Sequence, residues 1–388
     1  MSFQTGLSGL NASSRNLDVI GNNIANANTT GMKTSRAEFS GLVSSALGAA
    51  SSGGSGIGVE VANVAQLFTQ GNISTTGNNL DAAINGSGFF QLTQNDGTPA
   101  YTRDGSFKLD KNGFLRTNNG ANVMGYPTDV TGKPTSSSIQ KLQLPTNAPI
   151  AAKSTGTITA ELNLDSRATL AAGVPAVVGP PAVAAIPATP RTTYGTALTV
   201  YDSQGTPVNV NLYFEKMAPT GSGATAADNW DVYDVATGGT KLFTMSFDST
   251  GKLTAPTTAP TLTIATPSAV TPDISATLDI SKVTQYGTSF AVSNLTQDGY
   301  APGELIGINI GDDGVITTRY SNGQTQSTGQ LALADFRNIQ GLTPLGGNAW
   351  ASNNESGLPV QGAPGQGKFG ILRAGALIGT FHGVKAAT

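Results

Sequence analysis

Apolar and small residues recur in steps of four and three near the start of the chain, at Phe3, Leu7, Leu10, Ser14, Leu17, Gly21 and Ile24. That is the a/d rhythm of a helix that supercoils against a partner, and Phe3 to Ile24 spans about 33 Å at 1.5 Å per residue. Ser2 and Thr5 are the available N-terminal caps. Asn22, Asn23, Asn26, Asn28, Thr29, Thr30 and Gly31 end the pattern in turn formers. A helix packed on its own domain satisfies the same periodicity, so the pattern alone leaves both readings open. Phe39 to Leu47 reads as a second short amphipathic piece, and Ala49 to Gly58 as a flexible joint by composition. Gly54, Gly56 and Gly58 superficially suggest a phosphate-cradling loop. The order is wrong, because Val59, Val61 and Val64 follow in strand spacing where such a loop opens a helix.

From Leu80 the period changes to two. Phe89 to Leu92 and Ala100 to Arg103 flank the turn Asn95-Asp96-Gly97, and Phe107 and Leu109 precede the turn Asp110-Lys111-Asn112-Gly113. A Pro/Ser/Thr-rich crossing over 134–152 leads into a block of short strands. There Leu198 and Val200 alternate, Asp202-Ser203-Gln204-Gly205 turns, and Val208, Val210, Leu212 and Phe214 return. Trp230 with Val232, Phe243 to Phe247, Leu262 with Ile264 and Leu278 with Ile280 continue the alternation, which suggests a sandwich or barrel. Residues 167–193 interrupt this block with Ala, Val and Pro and read as a proline-stiffened surface insertion.

The fold class expected is mainly β with an N-terminal α-helix, in several domains, with nested discontinuous β domains of sandwich or barrel type on a helical terminal domain. The divisions expected are residues 1–70 (with 365–388) as a terminal segment, 71–145 with 289–364 as a discontinuous β domain, and 146–288 as an inserted β domain.

Composition narrows the chemistry. Only 12% of the 388 residues are charged, Gly numbers 49 and the net charge is −3, which leaves no electrostatic footprint for nucleic acid or an anionic membrane. Prolines at 175, 180, 181 and 187 exclude a spanning helix from the longest weakly polar run, and no secretory signal is evident, so no membrane insertion is expected. With no Cys and His382 the one histidine, the common zinc sites and His- or Cys-based triads cannot be assembled. Asp312-Asp313-Gly314 and Asp110-Lys111-Asn112-Gly113 read as β-turns. No catalytic residue, cofactor or metal is expected, although a carboxylate-only hydrolase would need no more than two separated acids.

The stretch from Leu17 through Asn22-Asn23-Ile24-Ala25-Asn26 and Thr29-Thr30-Gly31-Met32-Lys33 to Phe39 resembles the N-terminal signature of the bacterial flagellar rod and hook axial proteins. Tyr101 to Phe107, Gly125-Tyr126, Tyr201 to Gly205, Asp298 to Leu305 and Gly347 to Trp350 are similar to further family elements. The resemblance implies a structural subunit that polymerises with itself into a tube. Its partners would be rod, hook–filament junction and hook cap proteins. It would be exported to the flagellum without a cleaved signal. The 146–288 insertion favours hook over rod, with a distal-rod or hook-associated relative and a secreted β-rich adhesin as the alternatives. Phe3, Leu7, Leu10, Leu17, Ile20, Ile24, Asn22, Asn23, Asn26, Thr29, Gly31 and Lys33 are the implied polymer-interface residues. Family members continue past the position of Leu377 with a heptad helix that pairs with the N-terminal one. Here Ile378 to Thr388 is short and broken by Gly379 and Gly383. The expectation is an unpaired N-terminal seam, poor polymerisation and mobile residues 1–70 in the monomer.

Overall fold

The computed structural model describes residues 2–43, 56–146, 149–173, 186–221 and 226–379. The expected flexible joint over 49–55, the centre of the Ala/Pro-rich insertion over 174–185, and the tail from 380 lie outside the described residues. The chain forms two compact units, one of residues 1–148 with 305–388 and one of residues 149–304.

In the first unit one α-helix among the described residues, α1 (Ser2–Ala25), precedes an antiparallel pair, β1 (Ser35–Val43) and β2 (Gly56–Gln66). Two expectations change here. Phe39 to Val43, read as the start of a second short amphipathic piece, form part of a strand, and Gly56 to Gly58 belong to β2 and not to a joint. The reason is non-local. Each strand satisfies its backbone against the other, and a local reading of either one cannot see that ladder.

The body of this unit is a thirteen-stranded sheet with two clusters of buried side chains. Its strand Phe89–Thr93 is buried on both faces. Phe90 and Leu92 enter a core with Phe107, Leu115, Val123, Ile316, Leu331 and Leu333, while Phe89 joins Tyr101, Phe336 and Trp350. Leu333–Asp335 pairs directly with Phe89–Thr93, so the chain on either side of the inserted unit completes one sheet. Such closure brings the flanking segments together and lets the insertion be self-contained.

The second unit packs two five-stranded sheets face to face. Ile158, Ala160, Leu162 and Leu164 alternate inward from strand Thr157–Asp165. They meet Val210, Leu212, Phe214, Trp230, Val232, Met245 and Phe247 from the facing meander. Strand Ala291–Gln297 pairs antiparallel with Thr157–Asp165, which extends this unit to Glu304 where the sequence suggested an end at 288. The described flanks of the insertion are tied to this body. The Ala171 amide donates to the Lys216 carbonyl, and Arg191 pairs with Glu215 at 2.9 Å while lying 3.5 Å over the Tyr233 ring.

Four hairpin turns share one chemistry. Asp110, Asp129, Asp202 and Asp248 each accept from the amides two and four residues on through Oδ1. A glycine three residues on closes each turn with φ between +79° and +95°. All four carboxyls are held below the usual carboxylate range. At Asp248 and Asp129 the neighbouring Thr hydroxyl contributes most, with the turn amides behind it. At Asp202 and Asp110 burial pushes upward and the turn amides together outweigh it. A depressed folded-state value means stability present above the ordinary carboxylate pKa and lost as pH falls through the folded one. The melting temperature is therefore expected to be flat from pH 7 to about pH 5 and to fall steeply below about pH 4. Asp248→Asn, which keeps the acceptor, is expected to flatten part of that fall in calorimetric scans.

Candidate interface on the N-terminal helix

The twenty-four residues of α1 divide into two faces. Ser8, Ala12, Asn16, Val19 and Asn23 follow one another at helical spacing and are buried or half-buried, on the side that packs against β1 and β2. This inner face is small and polar. The Val59 amide donates to Ser8 Oγ at 3.3 Å. Asn23 makes a reciprocal pair with Ser35, its Nδ2 donating to the Ser35 carbonyl at 2.7 Å and its Oδ1 accepting the Ser35 amide at 2.9 Å. One side-chain amide thus stands in for a strand neighbour at the first residue of β1.

The apolar seam points the other way. Phe3 is 82% exposed, Leu10 69%, Leu17 67% and Ile24 63%, with Leu7 and Ile20 also exposed. Six large apolar side chains along one helix face form a patch that soluble monomers rarely leave uncovered.

The remaining candidate residues shape the exit from the helix. Thr5 lies inside the helix and its carbonyl accepts the Ser8 hydroxyl, so it is not the N-terminal cap. Asn26 donates from its amide and from Nδ2 to the Asn22 carbonyl, and the Thr29 carbonyl accepts the Met32 amide. Gly31 has φ +74°, and a Cβ there would lie 2.7 Å from the Asp104 amide nitrogen, so both conformation and space require glycine. Lys33 is buried and donates from Nζ to the Thr69 carbonyl at 2.8 Å. Burial, and behind it the neighbouring Arg103, lowers its pKa to about 8.

Ser8, Ala12, Gln66 and Thr69 lie outside the motifs singled out in the sequence, while Val19, Ser35 and Asn348 lie within motifs that resemble the axial proteins, with no contact assigned to them. Asn348 Nδ2 donates to the Thr30 carbonyl at 2.6 Å, and Trp350 Nε1 donates to Gln66 Oε1 at 2.7 Å, fastening the turn and β2 to the sheet. The Ser8-Ala12-Asn16-Val19-Asn23 spacing was the one available signal, and it carries little hydrophobic contrast. Among the described residues no group of three or more His, Cys, Asp or Glu is placed to hold a metal ion, and no helix is long and apolar enough to cross a membrane.

A terminal helix with an outward seam, a β hairpin beneath it and nested β units define the class of flagellar axial proteins. Residues 3–33 match the model described as flagella basal body rod protein. Residues 83–160 match the flagellar hook protein FlgE/F/G D1 domain, and 163–300 the flagellar basal body protein FlaE D2 domain. The flagellar hook protein FlgE of Escherichia coli K12 is 36% identical over 392 aligned residues, covering 97% of this chain and 90% of that protein. That of Salmonella typhimurium is 37% identical with the same coverage, and that of Treponema pallidum 33%, covering 95% and 89%. The chain belongs to the flagellar hook protein family, a family of structural proteins. The crystal structure of Helicobacter pylori flagellar hook protein FlgE2 shares its fold, with a TM-score of 0.59 at 16% identity over 77% of this chain and 99% of that one.

Replacing Asn23 by Ala leaves both backbone groups of Ser35 without their partner, at a cost of about 1–2 kcal/mol locally. Amide exchange at Ser35 is expected to speed up about tenfold, with the melting of residues 149–304 unchanged.

Proposed function

We propose that this chain is the structural subunit of a bacterial flagellar hook and that, contrary to the poor polymerisation expected from its short tail, it polymerises into a short flexible tube, couples rod to filament and transmits torque. The exposed heptad seam of α1 is the observation that carries this reading. On one side the helix is already engaged through small and polar residues, and its apolar side is left for another helix of the assembly. Contacts between copies are heterologous and repeat without closing, as a helical tube requires. The subunit meets rod and hook–filament junction proteins at the tube ends and the hook cap during growth, and reaches the flagellum without a cleaved signal. Residues 1–70 form the inner wall, and the β units lie outside it. The unit of residues 149–304 favours hook over distal rod, whose family members lack an insertion of this size.

Replacing Leu10 and Leu17 by Asp is harmless in the monomer, where both side chains face solvent. In a tube it buries two unpartnered carboxylates, each costing about 3 kcal/mol or more. Assembly followed by sedimentation and negative-stain microscopy, with the wild-type chain in parallel, is expected to need at least about a hundredfold higher concentration. The melting of both β units should not move. Tubes formed by the double variant at the wild-type concentration contradict the assignment.

A further inference from the structure

The neck of the β1–β2 hairpin is closed by two bonds between the segments that enter and leave it. The Leu67 amide donates to the Thr34 carbonyl at 2.8 Å, and Lys33 Nζ donates to the Thr69 carbonyl at 2.8 Å. Lys33 is 6% exposed, so its ammonium leaves water to make this clasp. The charged groups around it offer no compensation. Arg103, also 6% exposed, follows strand Pro99–Thr102, with its guanidinium carbon 5.0 Å over the Phe89 ring and Nε without a partner, and its charge acts on Lys33. Beyond Arg103 stands Asp335, which is engaged with Lys368 at 3.0 Å. Asp104, packed on Gly31, spends Oδ1 on the Ser106 amide and hydroxyl. Neither Lys33 nor Arg103 takes part in an ion pair among the described residues. Burial, and behind it the like charge of Arg103, disfavours the protonated lysine, and of the two cations only the lysine can shed its charge near neutral pH.

We propose that the Lys33 clasp is a pH-sensitive latch at the neck of the hairpin, tight when its amine is neutral and loosened when it is protonated. A neutral amine still donates to the Thr69 carbonyl, so the bond survives deprotonation while the repulsion from Arg103 and the desolvation penalty disappear. Because α1 is held on this hairpin through Ser8 and Asn23, the latch also sets how firmly the helix is presented. The sign follows from proton binding. Lys33 gives up its proton near pH 8 in the folded chain and near 10.5 in an opened one. Between those values the open state binds more protons, so the closed neck gains stability as pH rises. Below about pH 8 the penalty is fully present.

The test is amide exchange at Ser35 and Leu67 in the full chain from pH 6.5 to 9.5, corrected for the intrinsic rate. It is combined with a lysine Cε NMR titration. Protection is expected to be level up to about pH 8 and to rise about tenfold by pH 9.5, with Lys33 titrating near pH 8. Lys33→Met is expected to abolish the pH dependence. Arg103→Gln is expected to move both the Lys33 titration and the rise in protection to higher pH, which a merely structural role for Arg103 would not do. Protection that ignores pH in the wild type overturns the proposal. So does a Lys33 that titrates with the ordinary surface lysines, or an Arg103→Gln variant that leaves its titration in place.

Discussion

A helix that leaves its apolar face outward needs a second face by which its own chain can hold it. In α1 that second face consists of Ser8, Ala12, Asn16, Val19 and Asn23, and its strongest attachment is the reciprocal pair between Asn23 and Ser35. Had the inner face been large and apolar, the helix would have had two competing stripes and no defined orientation. A small polar inner face contributes geometry and little burial, so the seam of Phe3, Leu7, Leu10, Leu17, Ile20 and Ile24 is left outward. The turn after the helix and the hairpin beneath it are in turn fastened to the sheet of the first unit by Asn348 on Thr30 and Trp350 on Gln66.

The β units follow the same economy of local signals. Each repeats an aspartate turn in which one carboxylate oxygen satisfies two amides and a glycine takes the positive φ, and the turns join strands whose alternation fills a core. Low charge content fits this design. Turn carboxylates are spent on backbone amides, and several cations are spent on ion pairs within a unit, such as Arg191 with Glu215. What remains on the surface is largely neutral, suited to contacts that shift between near-equivalent positions through bridging water.

Much of this was legible in the residues. The α1 boundaries, the strands around Phe89, Val210, Trp230 and Leu278, and the Asp-x-x-Gly turns follow from period and turn chemistry alone. The inner face of α1 was not legible, because a stripe of Ser, Ala and Asn with a single Val19 carries too little hydrophobic contrast to detect. The strand containing Phe39 is amphipathic in sequence but does not declare its type, because its partner lies across residues 44–55 and pairing at that range leaves no local mark. The end of the second unit was placed short for a similar reason. The polar strand Ala291–Gln297 belongs there only through its ladder with Thr157–Asp165. Periodicity left open whether the seam packs within the chain, and the structure leaves it exposed.

The central claim is that this seam is exposed in the subunit and covered in the assembly. The chain has no cysteine, so single cysteines at Leu10, Leu17 and the 84% exposed Val270 report on maleimide access without background. In the monomer all three are predicted to react at similar rates. In assembled tubes Leu10→Cys and Leu17→Cys are predicted to become protected at least about tenfold relative to their monomer rates. Seam positions that stay reactive in tubes, or that are already protected in the monomer, would contradict the account.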